Sequence, residues 1–291
     1  MTPDLLAKTE MPSHLVHRAG ELLRILPKNN AAGTFLLDIG ARDGYISKLL
    51  TEYYTTVTAL DLEPPAISHP RIVPVGGDVT DLAFPDGAFD CVFCSEVLEH
   101  VAELEKACRE IARVARHNIV IGVPFQQDTR AERTTCRTCG KTNPPWGHIN
   151  SFTEQRLLQL FPQFDVITKS LVAGPPWSRT NAISAFLMDI AGNPWGPYDQ
   201  LEPCIYCGAK LVPPANRSLP SKILSLVARK INEAQSVFQA PGATWLHLAL
   251  VKRPQARTGG YEGGHPKSCP CQYEAICLRG TSVCAACPHR G

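Results

Sequence analysis

The first residues that could do chemistry follow an apolar run near the start of the chain. Asp38 ends "LLD", Gly40 follows, and Gly44 stands just ahead of a helical pattern. Glycines permit a tight turn and close approach of the backbone to a ligand, and carboxylates accept hydrogen bonds from ammonium and hydroxyl groups. A dinucleotide loop would require glycine at two positions that hold Arg42 and Tyr45. The spacing therefore favours a cofactor without a pyrophosphate and leaves a nucleotide-sugar or NAD enzyme as a distant option.

Two further acids stand at the ends of predicted strands. Asp61 closes "TTVTALD", at about the distance from the glycines that is expected for a ribose-binding acid. Asp78 in "GGDVTDL" follows the next strand and could accept from an exocyclic amine. Together these acids indicate a nucleoside-containing cofactor.

The segment "EVLEH" brings Glu96, Glu99 and His100 close together in sequence. If a helix begins directly after the fourth strand, the i, i+3 and i+4 spacing places all three on one face. Two carboxylates and an imidazole suit a divalent ion such as Mg, Mn or Zn. Without a metal, these side chains would shape the pocket and His100 would be the natural general base.

Two cysteine pairs have the spacing of zinc knuckles. Cys136 and Cys139 form "CRTCG", and Cys204 and Cys207 form "CIYCG". Each C-x-x-C turn presents two thiolates, so the pairs predict one shared Cys₄ zinc site, which would clip two insertions together over the active site. Redox-active or unligated thiols are the alternatives.

A third group of cysteines lies in the tail "CPCQYEAICLRGTSVCAACPHRG". The leading interpretation is a second zinc site, with an iron–sulfur cluster or a disordered tail as alternatives. The cysteines concerned are Cys269, Cys271, Cys277, Cys284 and Cys287.

Alternating strands and helices must position these residues. The apolar patterns predict strands over 34–38, 55–61, 71–75, 89–95, 118–125, 164–171 and 244–252. They predict helices over 11–26, 43–53, 101–116, 153–161 and 219–238. This alternation indicates an α/β fold whose parallel sheet is covered by helices on both sides. For helix 219–238, ordinary core packing is favoured over a role as a lid or as a contact with a lipid surface.

Four segments together resemble the class I S-adenosylmethionine-dependent methyltransferases, with a core like that of methyltransferase type 11. They are "LLDIGARDGY", "ALDLEPP", "GGDVTDLAFPDGAFDCV" and "SEVLEHV", in the family's order over 34–164. The resemblance implies a Rossmann-like seven-stranded sheet that binds S-adenosylmethionine. The family usually has glycine where this chain has Arg42. The implied cofactor-binding residues are Asp38, Gly40, Gly44, Asp61, Leu62, Asp78, Val79 and Ser95.

The E-x-x-E-H pattern is similar to the metal site of small-RNA 2′-O-methyltransferases and ubiquinone-pathway O-methyltransferases. In that resemblance another histidine joins after the fifth strand, and His148 is the candidate. The implied catalytic set is Glu96, Glu99, His100 and His148, with a divalent ion as a possible cofactor of the first three. His148 could instead serve the zinc site.

The composition and the apolar runs of the chain predict its partners, its location and its domain organisation. The 291 residues carry a net charge of +2, which does not indicate a nucleic-acid surface, and no apolar run reaches the roughly 18 residues of a membrane span. A cytoplasmic location is the default. The expected organisation is a lead-in over 1–30, a methyltransferase core over 31–172 with an insertion at 126–151, an insertion over 173–243, a last strand over 244–253 and a linker and tail over 254–291.

We expect methylation of a hydroxyl on a small molecule, sugar or lipid-linked intermediate. RNA ribose 2′-O-methylation and a non-catalytic zinc scaffold are the alternatives. The sequence does not fix the oligomeric state.

Overall fold

Nine strands are found in the computed structural model, which describes residues 13–27, 34–237 and 242–254. Seven of them form one sheet in the order β3-β2-β1-β4-β5-β9-β8. They are β1 (Phe35–Ile39), β2 (Thr56–Asp61), β3 (Ile72–Gly76), β4 (Phe89–Ser95), β5 (Ala115–Pro124), β8 (Phe164–Ala173) and β9 (Ala243–Lys252). Strands β1 to β5 pair in parallel, whereas β9 runs antiparallel to both β5 and β8. The predicted seven-stranded Rossmann-like sheet is confirmed.

The central strands are apolar along their whole length because helices cover both faces of the sheet. All residues of β4 except Ser95 are buried. One face packs Ile39, Cys94 and Ile121 with the helix that follows β4, and the other packs Phe93 and Val120 with the first helix. The parallel strands therefore all end at one edge, where the candidate site lies.

Six α-helices accompany the sheet in the described part of the chain. They are α1 (Ser13–Ile25), α2 (Tyr45–Leu50), α3 (Leu104–Val114), α4 (Glu154–Leu160), α5 (Ala182–Ile190) and α6 (Leu219–Ser236). Five correspond to predicted helices with shifted ends, and α5 was not predicted. None of the described helices is both long enough and apolar enough to cross a membrane.

The expectation that "EVLEH" starts a helix is wrong. Glu96 takes a left-handed backbone conformation with φ of 59°, a short 3₁₀ turn covers Leu98–His100, and α3 begins only at Leu104. The loop after β5 fixes this turn, because the backbone N–H groups of Ile149 and Asn150 both donate to the carbonyl of Glu99 at 2.8 and 3.0 Å. Glu96 and Glu99 consequently do not share a helical face.

The prediction that the apolar side of α6 packs in the core is also wrong. Ile223 and Val227 are 51% and 45% exposed, while Ser225 and Ala228 are fully buried. The helix therefore packs through its small residues.

The two insertions carry the cysteine pairs. A hairpin of β6 (Thr134–Thr135) and β7 (Thr142–Asn143) encloses the first pair. The second pair lies between α5 and α6. The tail cysteines 269, 271, 277, 284 and 287, and the metal site predicted for them, lie outside the described residues, as do positions 1–12 of the predicted lead-in.

Candidate active site

The turn after β1 depends on its first glycine. Gly40 has φ of 78°, and a Cβ atom there would lie 2.3 Å from Cγ2 of Val97. The backbone N–H groups of Gly40 and Ala41 donate to the carbonyl of Leu60 at 2.8 and 3.1 Å. The turn therefore folds tightly against the end of β2, and only glycine fits at position 40.

Asp61 joins the end of β2 to the same turn. Its two carboxylate oxygens accept from the backbone N–H groups of Arg42 and Leu62, each at 2.8 Å. Arg42 has φ of 47°, in the left-handed region that glycine occupies most readily. The arginine therefore keeps a glycine-like backbone conformation, and its hydrogen bond to Asp61 stabilises it there.

Asp38 is buried behind the turn. It is 2% exposed and accepts a hydrogen bond from the Ser47 hydroxyl at 2.6 Å, which ties β1 to α2. Burial raises the pKa of Asp38 to about 7, although the Ser47 hydrogen bond acts to lower it. Gly44 is the residue immediately before α2, and its left-handed backbone conformation, with φ of 75°, joins the turn to that helix.

The other predicted cofactor residues lie at or just beyond the same strand ends. Leu62 is 77% exposed after β2, and Ser95 ends β4. After β3, the exposed Asp78 accepts from the backbone N–H of Thr80 at 2.8 Å, while Val79 is buried in the core. One oxygen of Asp78 remains without a hydrogen bond among the described residues.

Glu99, His100 and His148 form a compact cluster at the ends of β4 and β5. One ligand atom from each lies within 4.8 Å of the others. Glu99 is fully buried, neither of its carboxylate oxygens has a hydrogen-bond partner within the described structure, and burial raises its pKa to about 8. A buried carboxylate without partners is the kind of group that a metal ion or a proton must satisfy.

His148 is held in one orientation. Its Nδ1 lies 2.6 Å from Oε1 of Gln127, and burial lowers its pKa to about 3, so the ring is neutral. With Nδ1 donating to the amide oxygen, Nε2 is left as a free acceptor, the arrangement typical of metal-binding histidines. The ring of His100 packs edge-on against that of His148 at 4.8 Å and is the exposed member of the cluster.

Glu96 does not join this cluster. Its carboxylate pairs instead with Arg18 of α1, whose guanidinium also lies 3.7 Å over the ring of Trp245. Sequence reasoning missed Arg18 and Gln127, because no motif marks residues that reach the site from remote elements.

The four knuckle cysteines also converge. Cys136 and Cys207 have their sulfur atoms 3.7 Å apart, and Cys139 and Cys204 theirs 3.6 Å apart. A tetrahedral ion with metal–sulfur bonds of about 2.3 Å separates its sulfur ligands by about 3.8 Å, so the cluster has the dimensions of such a site. His148 groups with Glu99 and His100 and not with these thiols.

The two knuckles share one backbone pattern. The N–H groups of Cys136 and Cys204 donate to the carbonyls of Lys141 and Ala209, each at 2.9 Å. Burial acts to raise the pKa of Cys204, but hydrogen bonds from the backbone of Tyr206 and Cys207 lower it to about 6, which favours the thiolate that a metal requires.

Comparison with known proteins identifies the class. A family model for a methyltransferase domain matches residues 37–121. Malonyl-(acyl-carrier protein) O-methyltransferase of Serratia marcescens is 36% identical over 94 residues, which cover 31% of this chain and 37% of that protein. A Mycobacterium tuberculosis H37Rv protein assigned as an S-adenosylmethionine-dependent methyltransferase is 27% identical over 191 residues, which cover 60% of this chain and 66% of that protein.

Among solved structures, that of a Bacillus halodurans C-125 protein assigned as a methyltransferase matches with a TM-score of 0.50 and 13% identity, covering 82% of this chain and all of that one. The fold and the turn after β1 are thus those of a Rossmann-like methyltransferase. Residues 37–121 form a methyltransferase domain like that of the class I S-adenosylmethionine-dependent methyltransferases. The chain spans about a third to two thirds of the length of the two curated relatives described above.

Proposed function

We propose that this protein transfers the methyl group of S-adenosylmethionine to a hydroxyl oxygen of a small molecule, a sugar or a lipid-linked intermediate. The observation that carries the proposal is the Glu99–His100–His148 cluster beside the cofactor turn. Oxygen is favoured as the acceptor atom because a hydroxyl needs help to lose its proton, and this cluster offers both a base and metal ligands.

The residues of the cofactor turn fit S-adenosylmethionine. The turn requires no phosphate contact, and Asp61 keeps lone pairs beyond its two backbone hydrogen bonds that could accept from ribose hydroxyls. Asp78 retains a carboxylate oxygen for the adenine amine. When bound, the cofactor supplies an activated methyl group on a sulfonium centre.

The catalytic residues act on the acceptor. His100, the exposed ring, would take the proton from the hydroxyl, while Gln127 orients His148 and the ring of His148 packs against that of His100. In the alternative with a divalent ion, Glu99, His100 and His148 would be its ligands, His100 would not be the base, and the ion would lower the pKa of the hydroxyl. Glu96 contributes from outside the cluster, where it holds Arg18.

A cavity of about 650 Å³, which Glu99, His100 and His148 do not line, offers room for the part of the acceptor remote from the reacting hydroxyl. Phe125, Trp177 and Trp195 are among its lining residues. Trp146 continues the aromatic wall, with its ring 6.0 Å from Trp177 and 6.1 Å from His148. Aromatic walls of this kind suit flat rings and sugars, and a cavity of this size suits a small molecule.

We further propose that the cysteine cluster binds zinc and that the protein resides in the cytoplasm. Four thiols at tetrahedral separations suit zinc, and all seven cysteines of the described residues are free thiols, as in a reducing compartment. The zinc would hold the insertions against the site, where the backbone N–H of Trp146 donates to the side-chain oxygen of Gln200 at 2.7 Å.

The proposal is tested in two stages. Calorimetry with S-adenosylhomocysteine measures cofactor binding, and transfer of a ¹³C-methyl group to a panel of monosaccharides and phenols measures catalysis. The carbon chemical shift of the product distinguishes an O-methyl from an N-methyl group. Folded protein that gives no heat with the ligand would point to the non-catalytic scaffold, and N-methyl products alone would overturn the choice of oxygen.

RNA ribose 2′-O-methylation is the second candidate, favoured by the same cluster. It predicts a gel shift with short RNA that weakens as salt is added. The near-neutral charge of the chain favours the small-molecule acceptor.

A further inference from the structure

Helices α5 and α6 present their apolar sides to solvent. On α6 the exposed fractions are 71% for Leu219, 51% for Ile223, 46% for Leu226, 45% for Val227 and 78% for Val237 at its end. We name these five residues the outward stripe. They recur at the spacing of one helical face, which is apolar over 219–227 and again at Val237, with Lys230 and Glu233 between.

The shorter helix α5 repeats the arrangement. Ile183, Phe186 and Ile190 are 68%, 63% and 56% exposed, whereas Ser184 and Ala185 are buried. Two neighbouring helices that both turn large apolar side chains outward form an exposed surface of the kind that marks an interaction site.

Hydrogen bonds on the inner faces fix this orientation. The Ser184 hydroxyl donates to the carbonyl of Ala228 at 2.7 Å, and the Thr180 hydroxyl donates to the side chain of Asn232 at 3.0 Å. Asn181 donates to the side chain of Gln235 at 3.1 Å. Turning α6 to bury the outward stripe would break these bonds and leave buried polar groups without partners.

The charge of α6 indicates what covers the stripe. Three cations, Lys222, Arg229 and Lys230, accompany one carboxylate, Glu233, which pairs with Arg229 and Lys230, so the helix keeps an excess of positive charge. An apolar helical face accompanied by cations is typical of helices that lie in the interface of an anionic membrane. A two-fold contact between copies would instead place Lys222 and Lys230 of both chains at one interface, where burying their charges costs free energy.

We propose that the outward stripe docks on an anionic lipid surface, with α6 lying parallel to the membrane. Its apolar side chains enter the boundary between headgroups and acyl chains, and Lys222 lies at the level of the lipid phosphates. The proposal concerns binding alone and does not depend on methyl transfer.

Flotation of the full chain with lipid vesicles tests the proposal. We expect the protein to float with mixed phosphatidylcholine–phosphatidylglycerol vesicles, much less with phosphatidylcholine alone, and less again at high salt. Ile223→Glu and Leu226→Glu should each lower the bound fraction about tenfold or more, because a carboxylate replaces an inserted apolar group. Ile167→Glu, at a site on β8 that is 50% exposed, is the matched control and should bind like the parent.

Three results would overturn the proposal, provided that circular dichroism shows folded protein. The parent chain could fail to float with anionic vesicles, both α6 variants could float as well as the parent, or binding could be equal with and without phosphatidylglycerol. Light scattering adds a fourth: a dimer that Ile223→Glu turns into a monomer would assign the stripe to a second copy.

Discussion

Asp61 should affect cofactor binding because its carboxylate fixes the backbone of the turn after β1. Its carboxylate accepts hydrogen bonds from the backbone N–H groups of Arg42 and Leu62. Asp61→Ala should therefore free the left-handed backbone at Arg42 and also remove the hydrogen-bond acceptor for the ribose hydroxyls. We expect the affinity for S-adenosylhomocysteine to fall about tenfold or more, as for a lost charge-assisted hydrogen bond. Calorimetry measures the change, and the exposed Asp81→Ala is the control. Equal affinity of the Asp61 variant and the parent would remove Asp61 from the cofactor site.

Glu99 and His148 should affect methyl transfer far more than cofactor binding. Glu99→Gln keeps the shape of the buried side chain but removes the carboxylate, and His148→Gln replaces the imidazole by a polar side chain of similar size. We expect the transfer rate to fall about 100-fold or more, with binding of S-adenosylhomocysteine nearly unchanged. The exposed Glu105→Gln on α3 is the control. Variants that transfer the methyl group at the parent rate would show that the cluster only supports the fold.

His247 should make the protein sensitive to mild acid. Burial lowers its pKa from 6.5 to about 4, so the folded state holds the neutral ring. Stability present above pH 6.5 should decline as the pH falls towards 4, by up to about 3 kcal/mol, because the unfolded chain takes up the proton first. Denaturant unfolding should show this loss in the parent and less of it in His247→Gln. The exposed His117→Gln should behave like the parent, and an unchanged pH slope in His247→Gln would contradict the assignment.

At the scale of the elements, the two cysteine knuckles together form one candidate metal site. Cys204→Ser removes one of four thiols and should lower the bound zinc by one equivalent per chain, measured by elemental analysis of protein purified without chelator. Cys108 lies in α3, outside the cluster, so the control variant Cys108→Ser should retain the metal. Zinc retained by the Cys204 variant at the parent level would place the metal elsewhere in the chain.

The sequence predicted the elements whose apolar residues face the core. The continuous apolar runs of β4 and β5 and the order of the four motifs were sufficient for the sheet and for the turn at Gly40. Helix α5 was missed because its nine residues are apolar almost throughout and show no alternation of apolar and polar positions, whereas α6 has that alternation and was predicted although its apolar side faces outward. The structure at "EVLEH" depends on Asn150 and Ile149, which come from a loop some fifty residues away, and local helical spacing could not reveal it.

For the molecule as a whole, stability should divide between the sheet and the insertions. The sheet has a large apolar core, whereas around the knuckles the buried cluster consists of Cys136, Cys204 and Leu211. Structural zinc contributes on the order of 10 kcal/mol in small metal-bound units, so the insertions should depend on the metal and the sheet should not. Hydrogen exchange after chelation should rise in 126–151 and 199–211 and stay low in β4 and β5. A uniform rise across the chain would contradict this division.

The pairing of Cys136 with Cys207 and of Cys139 with Cys204 sets an order of events during synthesis. The second knuckle leaves the ribosome well after the strands β1 to β5, so the first two thiols must remain reduced and unligated by their partners until then. The wall over the candidate site can therefore close only after the parallel strands β1 to β5 have been synthesised, and β9, which lies between β5 and β8, leaves the ribosome later still.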